Sequence, residues 1–546
     1  VIRQRLLSLT DNSSAGRRPP TSTLKGWKSA ATRGYSACVL WFLFIAATAG
    51  AADLPTVAEK SNYRSTSTHE EVVAFCRDLA RLSKKVTLDE LGASQEGKKL
   101  PLLILANPPI ATREDAAKSG KLLVFLMGNI HAGEVDGKEA LLALARDVAL
   151  AENHPLLKDL VILIAPIFNA DGNDRIAKTN RPEQNGPING VGIRANAQGF
   201  DLNRDFIKLE SPEIRALVRF FNRWDPAVVI DTHTTNGSFH RYKLTYDGPR
   251  HPAADARVID YCREKWIPDA GRRLKEKTLF DSYFYGNFDS KHTRWESYPA
   301  LPRYGIQYVA LRNRIALLSE SYVYASYKDR ITASRAFVEG CLENAAANRE
   351  KIAKLLSDAD KPRDKIALRI KTVSLGMPVT VLGFVEEEKD GKRTPSKMNK
   401  DYTVDAILRC EATESVQRPW AYLLPADQHR AADVLRLHGI AVGELTENAE
   451  IEVECQRVTK VTRVEREFQK HRAVSLEIES RSEKRMIPAG ALIIRTEQRL
   501  GALAAYLLEA RSEDGLATWN FFDEALAEAK DYPVLRIAKR AAIKVK

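Results

Sequence analysis

The stretch GNIHAGEVDG sets His131 three residues before Glu134, directly after the apolar run LLVFLM. An imidazole and a carboxylate at the end of a buried strand are either solvated loop residues or metal ligands. Other polar groups follow apolar runs in the same way: NADG (169–172) after LVILIAPIF, His233 after AVVID, and Glu320 at the end of IALLSES. DLNRD (201–205) stands between them. A lone His-x-x-Glu arises easily by chance in a chain with ten histidines. Two imidazoles and a carboxylate from separate strand ends are more specific. They make a three-ligand site with an open fourth position, the arrangement of a catalytic zinc. A structural zinc is closed by four ligands, usually including cysteine, and this chain has no Cys-x-x-Cys pair.

The ordered set His131-x-x-Glu134, Asp201-Leu202-Asn203-Arg204, His233 and Glu320 resembles the zinc carboxypeptidase family (carboxypeptidase A-like) over about residues 66–355. The resemblance implies that His131, Glu134 and His233 hold one zinc ion per chain. It implies that Asn203 and Arg204 bind the terminal carboxylate of a peptide, that Glu320 is the general base, and that Asp201 orients His131. The residue types suit these roles. A carboxylate beside an attacking water can take its proton and return it to the leaving amine. A planar guanidinium grips a carboxylate with two parallel bonds, which lysine cannot do. The family also uses an arginine that polarises the carbonyl, for which Arg181 and Arg194 both stand, and a capping tyrosine, for which Tyr298, Tyr304 and Tyr308 qualify. His240 reads as a surface or packing residue.

These groups need a scaffold that gathers strand ends. From Thr66 to Asp358 strand-like apolar runs alternate with helix-like segments such as GKEALLALARDVALA and SPEIRALVRFFNRW. That alternation predicts an α/β fold with a mixed, mainly parallel sheet covered by helices, in which ligands collect at the carboxyl ends of strands. Beyond SDADKPRDK the pattern changes to period-two alternation in IALRIKTV, PVTVLGFVEEE and AVSLEIES. The expected organisation is a signal region at 1–51, a catalytic domain at 60–358 and a β-containing α+β domain at 360–546.

Hydrophobic content of 44% and charged content of 28% are globular values. The net charge of +12 does not indicate a nucleic-acid partner. Seven basic residues and one acid, Asp11, lie within residues 1–51 and supply half of it, leaving a mixed surface behind. Within that segment Lys25, Lys28 and Arg33 precede the apolar ACVLWFLFIAATAGAA, as in a signal peptide cleaved near Ala49-Gly50-Ala51. The expectation is an exported enzyme acting on peptide or protein C-termini, without a membrane span after cleavage. Two other functions share some of these features: a zinc-dependent deacylase or cell-wall peptide amidase on the same fold, and a non-catalytic binding protein.

Overall fold

A computed structural model describes residues 54–389 and 391–546. The expected signal segment lies outside those residues. Among the described residues no helix is long and apolar enough to cross a membrane.

The first ten strands are β1 (Val86–Ala93), β2 (Lys99–Leu105), β3 (Leu122–Gly128), β4 (Leu160–Ala165), β5 (Val228–Thr235), β6 (Leu244–Asp247), β7 (Ser282–Phe284), β8 (Asn287–Phe288), β9 (Arg294–Glu296) and β10 (Ile315–Tyr322). Eight of them form one sheet in the order β1-β2-β4-β3-β5-β10-β6-β7. Its centre is parallel: β3 pairs with β4 and β5, and β5 pairs with β10. The flanks β1–β2–β4 and β10–β6 are antiparallel. Every residue of β3 and β4 is buried, which requires cover on both faces and explains their unbroken apolar runs. The fold is the mixed, mainly parallel α/β sheet that the alternation predicts.

Local sequence signals set the helices that cover it. Ser211 caps the helix Pro212–Trp224 by accepting a bond from the Ile214 amide, and Pro212 occupies the first turn. The segment TASRAFVEGCLENAAANREKIAKLL, which has helical spacing throughout, falls across two helices, Tyr327–Ala347 and Arg349–Ala359. Asn348 separates them with non-helical angles and joins back to Asn344 through its side chain, a competition between side chain and backbone typical of asparagine.

IALRIKTV and PVTVLGFVEEE belong to one strand, β11 (Lys365–Lys389), paired with β12 (Lys392–Gln417) in a long hairpin. The register shifts between Val373 and Pro378, where Gly376 has a φ of 81°. Such irregularities are where a strand accommodates proline, so the Gly-Met-Pro that looks like a break bends the strand without ending it. Glu386, Glu387 and Glu388 lie on the strand leading to the tip.

From Lys365 onward the described chain is β-rich. The parts on either side nevertheless share structure. β12 pairs in parallel with β9, and β9 with β8, in one four-stranded sheet. A six-stranded sheet built from segments between Ala421 and Ile537 follows. One apolar cluster runs from Leu217 and Trp224 to Leu435 and Leu503. All five described cysteines, Cys76, Cys262, Cys341, Cys410 and Cys455, are free thiols.

Candidate active site

The β5–β10 register sets His233 beside Glu320, and the β3–β5 register sets Gly128, the last residue of β3, beside Thr232. Both His233 and Glu320 lie within the last three residues of their strands. From Gly128 the chain enters the His131–Glu134 loop and then the helix Asp136–Leu150. Gly137 sits in that helix's first turn, where a Cβ would come within 2.0 Å of the Thr232 hydroxyl. Only glycine lets the helix approach β5 this closely, and the approach carries Glu134 over His233. NADG has a bracing role. Asn169 donates to the carbonyls of Ile130 and Arg194, tying together two loops that line the site.

His131, Glu134 and His233 are all buried, and one ligand atom from each falls within a 4.8 Å group. His131 Nδ1 lies 3.2 Å from Glu134 Oε1 and 3.2 Å from His233 Nδ1, which is 3.0 Å from Glu134 Oε2. The outer nitrogens face carboxylates: His131 Nε2 is 3.0 Å from Asp201 Oδ1, and His233 Nε2 is 2.8 Å from Asp231 Oδ2. In the tautomer that donates from Nε2 to these carboxylates, each Nδ1 lone pair points inward. Two lone pairs and a carboxylate converge with no donor among them, so the centre requires positive charge. The electrostatics agree. Burial alone would lower the His233 pKa, but Asp231, Glu134 and Glu320 raise it well above the usual imidazole value. This donor set fits a zinc ion.

The acids divide by surroundings. Burial would raise Glu134, yet His131 and Arg181 hold it well below the normal carboxylate range. Burial would raise Asp201 as well, and His131, Arg194 and Arg204 overcome it. Glu320 goes the other way. Burial, reinforced by the Glu134 charge and opposed by His233 and Arg194, pushes it up to about 8. Its Oε2 is buried without a hydrogen-bond partner. Glu320 lines the same cleft as the three donors but is not one of their group.

Asn203 and Arg204 line this cleft too. Asp201 Oδ1 accepts the Asn203 amide, which shapes the Leu202–Arg204 turn. Asn203 Oδ1 accepts the Gly305 amide at 2.8 Å. The Arg204 guanidinium stacks 4.3 Å from the centre of the Tyr304 ring and spends Nη1 on the Asn203 carbonyl. Both candidate arginines reach Glu134, with Arg181 Nη1 at 3.2 Å and Arg194 Nη1 at 3.5 Å. Tyr298 and Tyr304 line the cleft. Tyr308 does not: it is fully buried, with its hydroxyl 2.8 Å from His438 Nδ1, and so is a packing residue. His240 is buried under Tyr322, outside the donor group, and burial pushes its pKa down to about 3.

Two residues of the site go unread in the sequence. Asp231 backs His233, and its position two residues earlier on the same strand face was a usable signal. Tyr285 lines the cleft and feels the Glu320 charge, and no motif marks it.

Residues 72–298 match the family model for zinc carboxypeptidases. Among relatives, the chain is 26% identical over 496 residues to carboxypeptidase 2 of Trichophyton tonsurans, covering 86% of each sequence. It is 34% identical over 134 residues to carboxypeptidase E of Caenorhabditis elegans, covering 23% of this chain and 26% of that one. A metallo-carboxypeptidase from Burkholderia cenocepacia aligns at 17% identity with a TM-score of 0.38, over 52% of this chain and 70% of the other. Carboxypeptidase A from Helicoverpa armigera aligns at 16% with a TM-score of 0.40, over 54% and 75%.

Proposed function

We propose that His131, Glu134 and His233 hold one zinc ion and that the enzyme removes residues from the C-terminus of peptides. The observation that carries this reading is the juxtaposition in one cleft of three inward-facing donors with Asn203, Arg204 and Glu320. When bound, zinc lowers the pKa of a water molecule and polarises the scissile carbonyl. Arg204 binds the terminal carboxylate. Its Nε and Nη2 make no bond among the described residues, leaving two donors on one edge for a bidentate grip. Asn203, fixed by the Gly305 amide, offers its side-chain NH2 alongside.

Glu320 is the general base. It takes the proton of the attacking water and delivers it to the leaving amine, and a pKa raised towards neutrality suits a group that must do both. Arg194 takes the carbonyl-polarising role. All three Arg181 nitrogens are engaged, by Gln184, Glu134 and the Thr234 carbonyl, whereas Arg194 Nη2 has no partner among the described residues. Ile306, Leu318 and Tyr298 supply apolar wall in the cleft that Arg204 lines, which favours an apolar or aromatic terminal residue. The basic-then-apolar segment before Ala52 supports export of the mature enzyme.

The test is a library of peptide pairs with free and amidated C-termini, with products identified by mass. Release of single terminal residues from free-acid peptides, and little turnover of the amides, is expected. Equal turnover of both forms would overturn the carboxypeptidase assignment.

A further inference from the structure

The chain beyond residue 360 reaches back to the substrate-binding turn. Gln469 Oε1 accepts the backbone N–H of Asp201 at 3.0 Å. Asp201 is where the site's two halves meet, because its carboxylate backs His131 and also accepts the amide of Asn203. Gln469 and Lys470 form the two central positions of a tight turn closed by Phe468 and His471, with φ of 52° and 62°. Two left-handed residues in succession suit Asn-Gly and are unfavourable for Gln-Lys. Backbone strain of this kind persists where the surroundings fix it, and it gathers at functional sites.

Here the surroundings are the turn's own target. His471 Nε2 lies 3.0 Å from both Glu210 carboxylate oxygens, and the Lys470 ammonium sits 4.3 Å from the centre of the Phe200 ring. The same region also holds the residue before Tyr304, whose ring Arg204 stacks on. Buried Asp514 accepts the Arg303 amide at 2.6 Å and pairs with Arg303 Nε at 2.9 Å, fixing the residue before Tyr304, whose ring lies against Arg204.

We propose that Gln469 is a positioning residue for substrate binding: the C-terminal region presents it on a strained turn to hold the Asp201–Arg204 segment in register for the peptide's carboxylate. This rests on Asn203 and Arg204 being the carboxylate anchor.

The test compares Gln469→Ala, Gln469→Met and Arg204→Ala with the wild-type full-length zinc enzyme on one free-acid peptide. Met keeps the length of the side chain and removes the acceptor, so it covers the case in which the Ala variant misfolds. Both Gln469 variants are expected to raise KM about three- to tenfold, the effect of losing one hydrogen bond. Their kcat should stay within about twofold of wild type and their zinc content unchanged. A purely structural role lowers the active fraction, so it reduces kcat at constant KM. That result, or an unchanged KM in both variants, would overturn the inference. If Arg204→Ala raises KM while the Gln469 variants do not, this inference alone fails. If Arg204→Ala leaves KM unchanged, the anchor assignment fails and takes this inference with it.

Discussion

Glu320 is set beside His233 by the parallel pairing of β5 and β10, and its Oε2 is buried with nothing to bond. A carboxyl group stranded in this way keeps a strong tendency to hold a proton. Substituting Gln preserves its size and removes the ability to accept a proton from water. Glu320→Gln should therefore lower kcat by about 10²–10⁴, the range typical of general acid–base groups, while zinc content and KM stay near wild type. Steady-state kinetics with metal analysis of the same sample checks this, and Glu296→Gln serves as a control. Loss of zinc in the Glu320 variant would show that it is a ligand. The central residues are legible in the sequence because donor types and their order carry the signal. Asp231 and Tyr285 are less so: an acid before a strand-end His looks like ordinary turn polarity, and a cleft tyrosine looks like core.

The elements that gather the site are held by a contact the sequence conceals. Arg330, on the helix Tyr327–Ala347, donates Nε to Asp136 at 2.9 Å, with both side chains fully buried. Its other nitrogens reach the carbonyls of Asn185, Gly186, Val323 and Ala325. Asp136 in turn accepts the hydroxyls of Thr234 and Ser321. One guanidinium thus joins the ends of β5 and β10, the start of the helix after Glu134, and the loop that follows Arg181. Arg330→Met would leave the Asp136 charge buried and unpaired, and breaking such a pair destabilises by about 3–5 kcal/mol. Denaturant unfolding measures that loss, and a change under about 1 kcal/mol would contradict the clamp, since that is the scale of an exposed pair. The strands and helices themselves are legible because burial imposes period. The break at Asn348 and the continuity of β11 through Pro378 are less so, because each depends on a local bond or bulge and not on hydrophobic pattern.

At the scale of the whole molecule, the β-rich C-terminal region and the region before it share the β8–β9–β12–β11 sheet and one apolar core. Such cross-contacts leave no trace in composition, since Gln469, His471 and Asp514 are ordinary polar residues until the fold brings them to Asp201, Glu210 and Arg303. The chemistry of the cleft depends on the metal. The most direct measurement is the zinc content of purified wild-type, His131→Ala, His233→Ala and His240→Ala enzymes, with peptidase activity measured on each. About one zinc per chain is expected for the wild type, as for a single three-ligand catalytic site. The His131 and His233 variants should lose most of the metal and the activity, and the His240 variant should keep its metal because that ring lies outside the donor group. Full zinc and full activity in the His131 and His233 variants would contradict the account.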